Sequence, residues 1–187
     1  MSQARIDFPD TPGDTEFLVT GLVEVRESAI NGLGVFAVTP FSGGQAVLTI
    51  DDSRVVDEAH PLRPGDDARH CDYLAAGKVV LMQYPERHIN HSCDPNTYAR
   101  TVGGRRLVMA LRDIAAGAEI TYDYCINGSG DTVWTCHCGA ARCRSAIHSD
   151  FFHLPLAVQR EYLPFLDTWF REERKLEIER LLRSARA

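Results

Sequence analysis

No apolar run in this chain approaches the ~20 residues that a membrane helix needs. The opening residues, MSQARIDFPDTPGDTEF, lack both the basic start and the apolar stretch of a secretory signal. Positive charge is also scarce: 20 Lys and Arg stand against 26 Asp and Glu, for a net charge of −6. The basic excess is confined to residues 100–112 and the C-terminal end, so the extended basic face typical of nucleic-acid binding is missing. No internal repeat or low-complexity segment occurs. These absences predict a soluble protein of the cell interior, cytoplasmic if the source is prokaryotic, with neither membrane nor nucleic acid as its primary partner. An acidic chain suits a cationic partner better. Six acidic residues fall between positions 51 and 67, although a solvated acidic loop accounts for such a run equally.

What is present is 187 residues with 44% apolar side chains, enough for one main core and an appendage. Residues 1–19 read as a loosely ordered leader. From 22 to 111 the chain offers short β-prone runs, LVEV, GVFAV, AVLTI, KVVLM, TYARTV and RRLVMAL, separated by Gly, Pro, Asn and Asp clusters. The VGG between the last two predicts a hairpin. After Tyr124 the texture becomes a Gly-, Ser- and Cys-containing loop. From Pro155 onward, Leu163, Leu166 and Phe170, then Ile178, Leu181, Leu182 and Ala185, fall near helical spacing, which predicts two helices broken around Pro164. Their apolar stripe is expected to pack on the domain; a homodimer through these helices is the alternative use of it.

Six cysteines in such a chain read as metal ligands or free thiols before disulfides. The segment CHCGAARC places Cys136, Cys138 and Cys143 within eight residues, close enough to converge on one tetrahedral Zn2+. His137 lies between two ligands and would point away; Cys125, Cys71, His148 and Cys93 are candidates for a fourth position. An unliganded thiol loop is the plainer explanation, but free cysteines are usually isolated and buried. A catalytic Cys93–His91 pair is weaker, because no orienting group or oxyanion-hole signature accompanies it.

Four pieces then occur in order: GLGVFA at 32–37, RHINHSCDPN at 87–96, ALRDIAAGAEITYDY at 110–124 and CHCGAARCRSAI at 136–147. Together they make the chain resemble a SET-domain protein lysine methyltransferase with a post-SET zinc module. The resemblance covers roughly residues 20–147. It implies a mainly β, SET-domain (β-clip) fold of short curved sheets with a pseudoknot, divided into a SET domain at 20–127, a post-SET zinc-binding segment at 128–150 and a C-terminal helical extension at 151–187. It implies S-adenosylmethionine on one face and a substrate lysine reaching it through a channel from the other. Gly32, Leu33, Gly34 and Val35 would lie against the cofactor, where a side chain at the glycines would block close approach. Arg87, Asn90 and His91 match the family's cofactor-contacting residues, Cys93 the fourth zinc ligand, and Tyr124 the catalytic tyrosine. Asp94-Pro95-Asn96 reads as the turn into TYARTV.

The chemistry implied is alignment of a neutral lysine amine with a reactive methyl group, with water excluded. Tyr124 would orient the methyl group and shape the channel. Tyr122 stands where the family carries Phe or Tyr; a tyrosine there resembles relatives that stop at one or two methyl groups. Taken alone, both tyrosines would read as core aromatics of a strand. The expected partner is a basic protein with an exposed lysine, such as a histone or histone-like protein. Several departures bear on the substrate end. Thr49-Ile50 replaces a Glu-Tyr frequent in relatives, His88 replaces a Phe, no cysteine-rich region precedes the domain, and the segment 51–82 is short. A non-catalytic SET-like module that recruits partners through its C-terminal helices is the rival reading. A zinc-based nucleic-acid binder is a third, which the charge balance opposes.

Overall fold

A computed structural model describes residues 21–184. The expected leader, residues 1–19, and Ala185 of the helical stripe lie outside the described residues. The strands, in chain order, are β1 Val23–Glu27, β2 Leu33–Ala37, β3 Ala46–Thr49, β4 Val55–Val56, β5 Cys71–Tyr73, β6 Val79–Leu81, β7 Asn90–His91, β8 Thr97–Val102, β9 Arg105–Ala110, β10 Glu119–Tyr122, β11 Ser129–Thr135 and β12 Ala146–Asp150. Each of the six β-prone runs from 22 to 111 contains a strand, and the fold is mainly β.

The principal sheet runs β1-β2-β10-β8-β9-β3, with β7 beside β10. Its pairings are antiparallel except those of β10 with β7 and β8. Strand β10 therefore lies in the middle of the sheet and gathers segments far apart in the chain. The expected hairpin is present: Val102 pairs with Arg105 across Gly103 and Gly104, whose φ values of 56° and 78° are those of a two-residue turn that matches strand twist. Strand β9 is buried on both faces, and its alternation divides the core in two. Val108 and Ala110 join Val35, Val47 and Ile120 in one cluster, whereas Leu107 and Met109 join Tyr98, Phe151 and Phe170 in the other.

The second cluster exists because the C-terminal extension covers that face. Its elements are α1 Leu156–Tyr162, a 3-10 turn at Leu163–Phe165, α2 Thr168–Glu173 and α3 Lys175–Ser184. The break around Pro164 falls where the sequence predicts it. A second break at Arg174 divides the expected second helix in two. There the backbone leaves helical angles, and the guanidinium lies 4.7 Å over the Phe152 ring while bonding Glu177 at 2.8 Å. Leu166, Phe170 and Leu181 are buried against the domain, so the stripe is used within the chain, and Tyr98 packs on Phe165 at 4.9 Å between ring centroids.

Two elements depart from expectation. The stretch after Tyr124 is framed by a hairpin of β11 and β12 rather than being loop throughout. Its outer strand, SGDTVWT, is almost wholly exposed, so no apolar alternation announces it. Strands β4, β6 and β5 form a separate small sheet, and the turn between β5 and β6 is tied to the extension where Ala76 N–H donates to Glu173 Oε1 at 2.6 Å. No helix among the described residues is long and apolar enough to cross a membrane.

Phe170→Ala should lower unfolding free energy by about 3–5 kcal/mol. Leu176→Ala, at a side chain 65% exposed, should change it by less than about 0.5 kcal/mol. Urea titrations giving equal losses for the two would place the stripe's main contacts elsewhere.

Candidate active site and metal centre

The GLGVFA segment enters β2 through a turn in which Gly32 has φ +49°, an angle that disfavours other residues. Asn90, on β7, secures that turn. Its side-chain amide faces the carbonyls of Asn31 at 3.1 Å and Leu33 at 3.0 Å, and Glu119 Oε1 at 2.9 Å. The same carboxylate oxygen accepts from Ser28 Oγ at 2.7 Å. Gly34 is then explained by packing within the protein, since a Cβ there would run into the Glu119 carboxylate and Ser28. This reason differs from close approach to a cofactor. Asn96 holds the backbone of the same strand: its amide donates to Glu119 O at 2.8 Å and its oxygen accepts from Thr121 N at 2.9 Å. The expected turn at Asp94-Pro95-Asn96 thus also pins β8 to β10.

A cleft of about 800 Å3 runs from this corner across the molecule. Asn31, Leu33, Arg87, Asn90, Tyr124 and Trp134 line one stretch of it. Tyr122 and Tyr124 stand together on its wall with ring centroids 4.9 Å apart. The Tyr124 ring is partly exposed, but its hydroxyl is inside and donates to Ile89 O at 2.8 Å. Burial pushes this phenol up to about 12. The Tyr122 hydroxyl points to the Met82 thioether at 3.9 Å, a weak acceptor, and burial raises its pKa well above the usual tyrosine value. Ile50, which stands where the resemblance leads one to expect tyrosine, lines the same cleft.

Behind the tyrosines lies a sulfur cluster. The Sγ atoms of Cys93, Cys136, Cys138 and Cys143 all fall within 4.8 Å of one another, with Cys93 and Cys136 at 3.8 Å. Four thiolates at Zn–S distances of about 2.3 Å would be about 3.8 Å apart, so the donor set and its spacing fit Zn2+. Backbone N–H groups already point at the sulfurs, Cys93 N at Cys138 Sγ and Arg144 N at Cys93 Sγ. Burial pushes the Cys138 thiol up, but hydrogen bonds from the N–H groups of Cys93 and Ala140 and from the Cys136 and Cys143 thiols together hold it below the usual cysteine value. His137 is exposed, as its place between two ligands predicts, and Cys125 is engaged elsewhere, donating to His148 O at 3.1 Å.

His91 joins the two regions. Its Nδ1 accepts from Tyr124 N at 3.2 Å, which leaves Nε2 to carry the proton, 3.5 Å from Cys93 Sγ. Burial depresses its pKa to about 4, so the ring is neutral. Its faces are enclosed edge-on by Tyr124 at 5.2 Å and Trp134 at 5.7 Å. Next to it, Asp123 is wholly buried and takes a two-pronged ion pair from Arg144 at 2.6 and 2.9 Å.

Of the residues expected at the cofactor, Leu33, Arg87 and Asn90 line the cleft, whereas Val35 has its side chain in the core and His91 lies behind Tyr124. Gly32 and Gly34 shape the turn that presents Leu33. Sequence reasoning missed Glu119, Asp123, Arg144 and Trp134. Glu119 and Asp123 sit inside the ALRDIAAGAEITYDY motif, and Trp134 is one of only two tryptophans, two residues before the cysteine loop. For Arg144 no signal exists beyond its adjacency to Cys143.

The family model described as "SET domain" matches residues 32–125. The Saccharomyces cerevisiae protein named "Histone-lysine N-methyltransferase, H3 lysine-4 specific" is 47% identical over 147 residues, covering 67% of this chain and 13% of that protein. The Schizosaccharomyces pombe protein of the same name is 46% identical over 171 residues, covering 78% of this chain and 18% of its own length. The chain therefore spans less than a fifth of either relative. Among solved structures, that of KRYPTONITE in complex with mCHH DNA, H3(1-15) peptide and SAH superposes with a TM-score of 0.52 at 22% identity, over 67% of this chain and 29% of that one. This likeness is one of fold.

Purified protein should carry one zinc per chain by elemental analysis, and Cys138→Ser should lose most of it. Chelation should lower the melting temperature of the wild type but leave the metal-poor variant unmoved. Gly34→Ala should destabilise by about 1–3 kcal/mol through the Glu119 collision, read by thermal melts.

Proposed function

The chain belongs to the SET-domain family, and on that footing we propose that it is an S-adenosylmethionine-dependent protein-lysine N-methyltransferase with a structural Zn2+ in the Cys93, Cys136, Cys138 and Cys143 cluster. The observation that carries the reading is the convergence of Tyr122, Tyr124, Asn90 and Leu33 on one cleft of about 800 Å3, large enough for a small-molecule cofactor. The names of the yeast relatives, and the SAH and H3 peptide bound in the KRYPTONITE complex, support the same activity and a protein substrate. The division into a SET domain at 20–127, a zinc segment at 128–150 and an extension from 151 belongs to this proposal. So does the assignment of Gly32, Leu33, Gly34, Val35, Arg87, Asn90 and His91 to the cofactor's surroundings.

S-adenosylmethionine supplies an electrophilic methyl on a sulfonium, so the amine nitrogen forms its new N–C bond as the C–S bond breaks. The chain's residues have three tasks. Asn90 and Glu119 hold the Asn31–Leu33 backbone in place, which fixes one wall before anything binds. Tyr124, anchored on Ile89 O and enclosed by His91, Tyr122 and Trp134, is a fixed aromatic surface and hydroxyl for alignment. The buried surroundings of the Tyr122 hydroxyl disfavour a charged ammonium, so a lysine with an ordinary pKa of about 10.4 is driven toward its neutral, nucleophilic form. The Tyr122 hydroxyl, with only a thioether to bond, remains able to hold a water beside the amine and so restrict the product to one or two methyl groups. Tyr122 packs on the core and also lines the cleft beside Tyr124, and that pairing of the two tyrosines on the cleft wall favours catalysis over a non-catalytic module.

Labelled S-adenosylmethionine incubated with histones and other basic proteins should give methyl-lysine, and Tyr124→Phe should lower kcat by about 100-fold through loss of alignment. Wild-type protein that binds the cofactor yet transfers nothing to any of them would favour the binding-module reading. Tyr122→Phe should move the product toward trimethyl-lysine by mass spectrometry; mainly trimethyl product from the wild type would overturn the role of that hydroxyl. Because Tyr124 titrates at about 12, kcat/KM should climb with lysine deprotonation and show no Tyr124-dependent fall below pH 10. A descending limb below that pH, abolished in Tyr124→Phe, would contradict it.

A further inference from the structure

One side of the cleft belongs to a lightly built part of the fold. Of the strand residues in the small sheet β4-β6-β5, only Val80 and Leu81 are buried. Its free edge is β5, along which Cys71, Asp72, Tyr73 and Leu74 line the cleft. At its base Arg106, a buried side chain of β9, pairs with Asp72 at 2.8 Å and with Asp52 at 3.2 Å. At its tip the turn from β5 to β6 is closed by the Leu74 N–H, which donates to Lys78 O at 2.8 Å, and Ala76 within that turn has φ +55°. A residue other than glycine is strained at that angle and stays there only where its surroundings hold it.

The facing side, where Asp167 and Trp169 of the extension line the cleft, is firmly seated. Asp167 Oδ2 accepts from both the N–H and the hydroxyl of Thr101 on β8 at 2.8 Å, and Phe170 is fully buried, so α2 is bound to the main sheet. Glu173, one helical turn after Trp169, is exposed, and its Oε1 accepts the Ala76 N–H at 2.6 Å. The two sides therefore meet just beyond Leu74 and Trp169. A protein segment lying in the cleft needs both of its ends to leave it, and this contact closes one way out. We propose that the small sheet is a flap held at its base by Arg106, and that the Ala76–Glu173 hydrogen bond is its clasp, which parts to admit a polypeptide. Few buried contacts make local opening easy, and relaxation of Ala76 on release favours it further. The proposal rests on the reading of the cleft as a protein-lysine site. It adds that the extension regulates entry to that site.

Cys71 reports on the flap without any substrate, because it is a partly exposed thiol on the cleft wall. The purified full chain is treated with a dye-bearing maleimide, too bulky for the closed cleft, and modification is followed at each cysteine by mass spectrometry. Glu173→Ala should speed modification of Cys71 by about 5- to 30-fold, while the buried Cys125 stays unmodified. Glu172→Ala, at the neighbouring exposed acid, should leave the rate within about twofold. If Glu173→Ala also exposes Cys125, Glu173→Gln decides: its neutral oxygen is a weaker acceptor, and a rise of about threefold at Cys71 with Cys125 protected upholds the clasp. No acceleration at Cys71 in either Glu173 variant, or an equal acceleration by Glu172→Ala, overturns it however well the wild type methylates histones. Acceleration confined to the Glu173 variants upholds the clasp even if histones receive no methyl group, in which case it is the catalytic reading that fails.

Discussion

The buried ion pair between Asp123 and Arg144 is the contact on which the rest of the site depends. Asp123 lies just past the end of β10, between the two tyrosines of the cleft, and Arg144 follows the last cysteine of the sulfur cluster. Removing one partner of such a pair typically costs about 3–5 kcal/mol, because the other charge is left buried without an opposite. Here the pair does more than join two loops. Arg144 also offers its backbone N–H to Cys93 Sγ, and Asp123 Oδ1 accepts the Cys125 N–H, so one interaction aligns sulfur cluster and tyrosines together.

That alignment explains why RHINHSC is so dense in polar residues. Asn90 faces the β2 turn and Glu119, His91 takes a hydrogen bond from the Tyr124 backbone and turns its other nitrogen to sulfur, and Cys93 enters the metal set. Consecutive side chains on a short strand point to opposite faces, and the strand is used on both. Because β7 pairs in parallel with β10, these residues lie directly beside the tyrosine-bearing segment.

The legibility of all this from the sequence varied with its physical origin. TYARTV and RRLVMAL were readable because β-branched and aromatic residues flank a Gly-Gly turn, and their hairpin depends on little else. SGDTVWT was not, because it is a strand only through pairing with β12 and buries almost nothing. The second helix break was hidden for a related reason: Arg174 is a good helix former, and the interruption reflects its engagement with Asp150, Glu177 and Phe152. At the site, cysteine spacing pointed to a metal, and the motif order singled out Asn90 and Tyr124. Glu119, Asp123 and Asp167 carried no such mark. A charged residue held by partners 21 to 91 positions away looks, in its own neighbourhood, like any solvated acid.

The division of the cleft wall among distant segments also bears on when the protein can work. Asn31 and Leu33 come early, Asn90 and the tyrosines later, Trp134 from the hairpin, and Asp167 and Trp169 from the extension. Chains emerge from the ribosome N-terminus first and fold in units as they do so. A nascent chain that had exposed everything through Tyr124 would still lack the cysteine loop, the partner of Asp123 and the face that covers Tyr98. The cleft wall is therefore complete only once residues 134–169 have been made and folded, and a copy that stops at Tyr124 lacks Trp134, Asp167 and Trp169 from it.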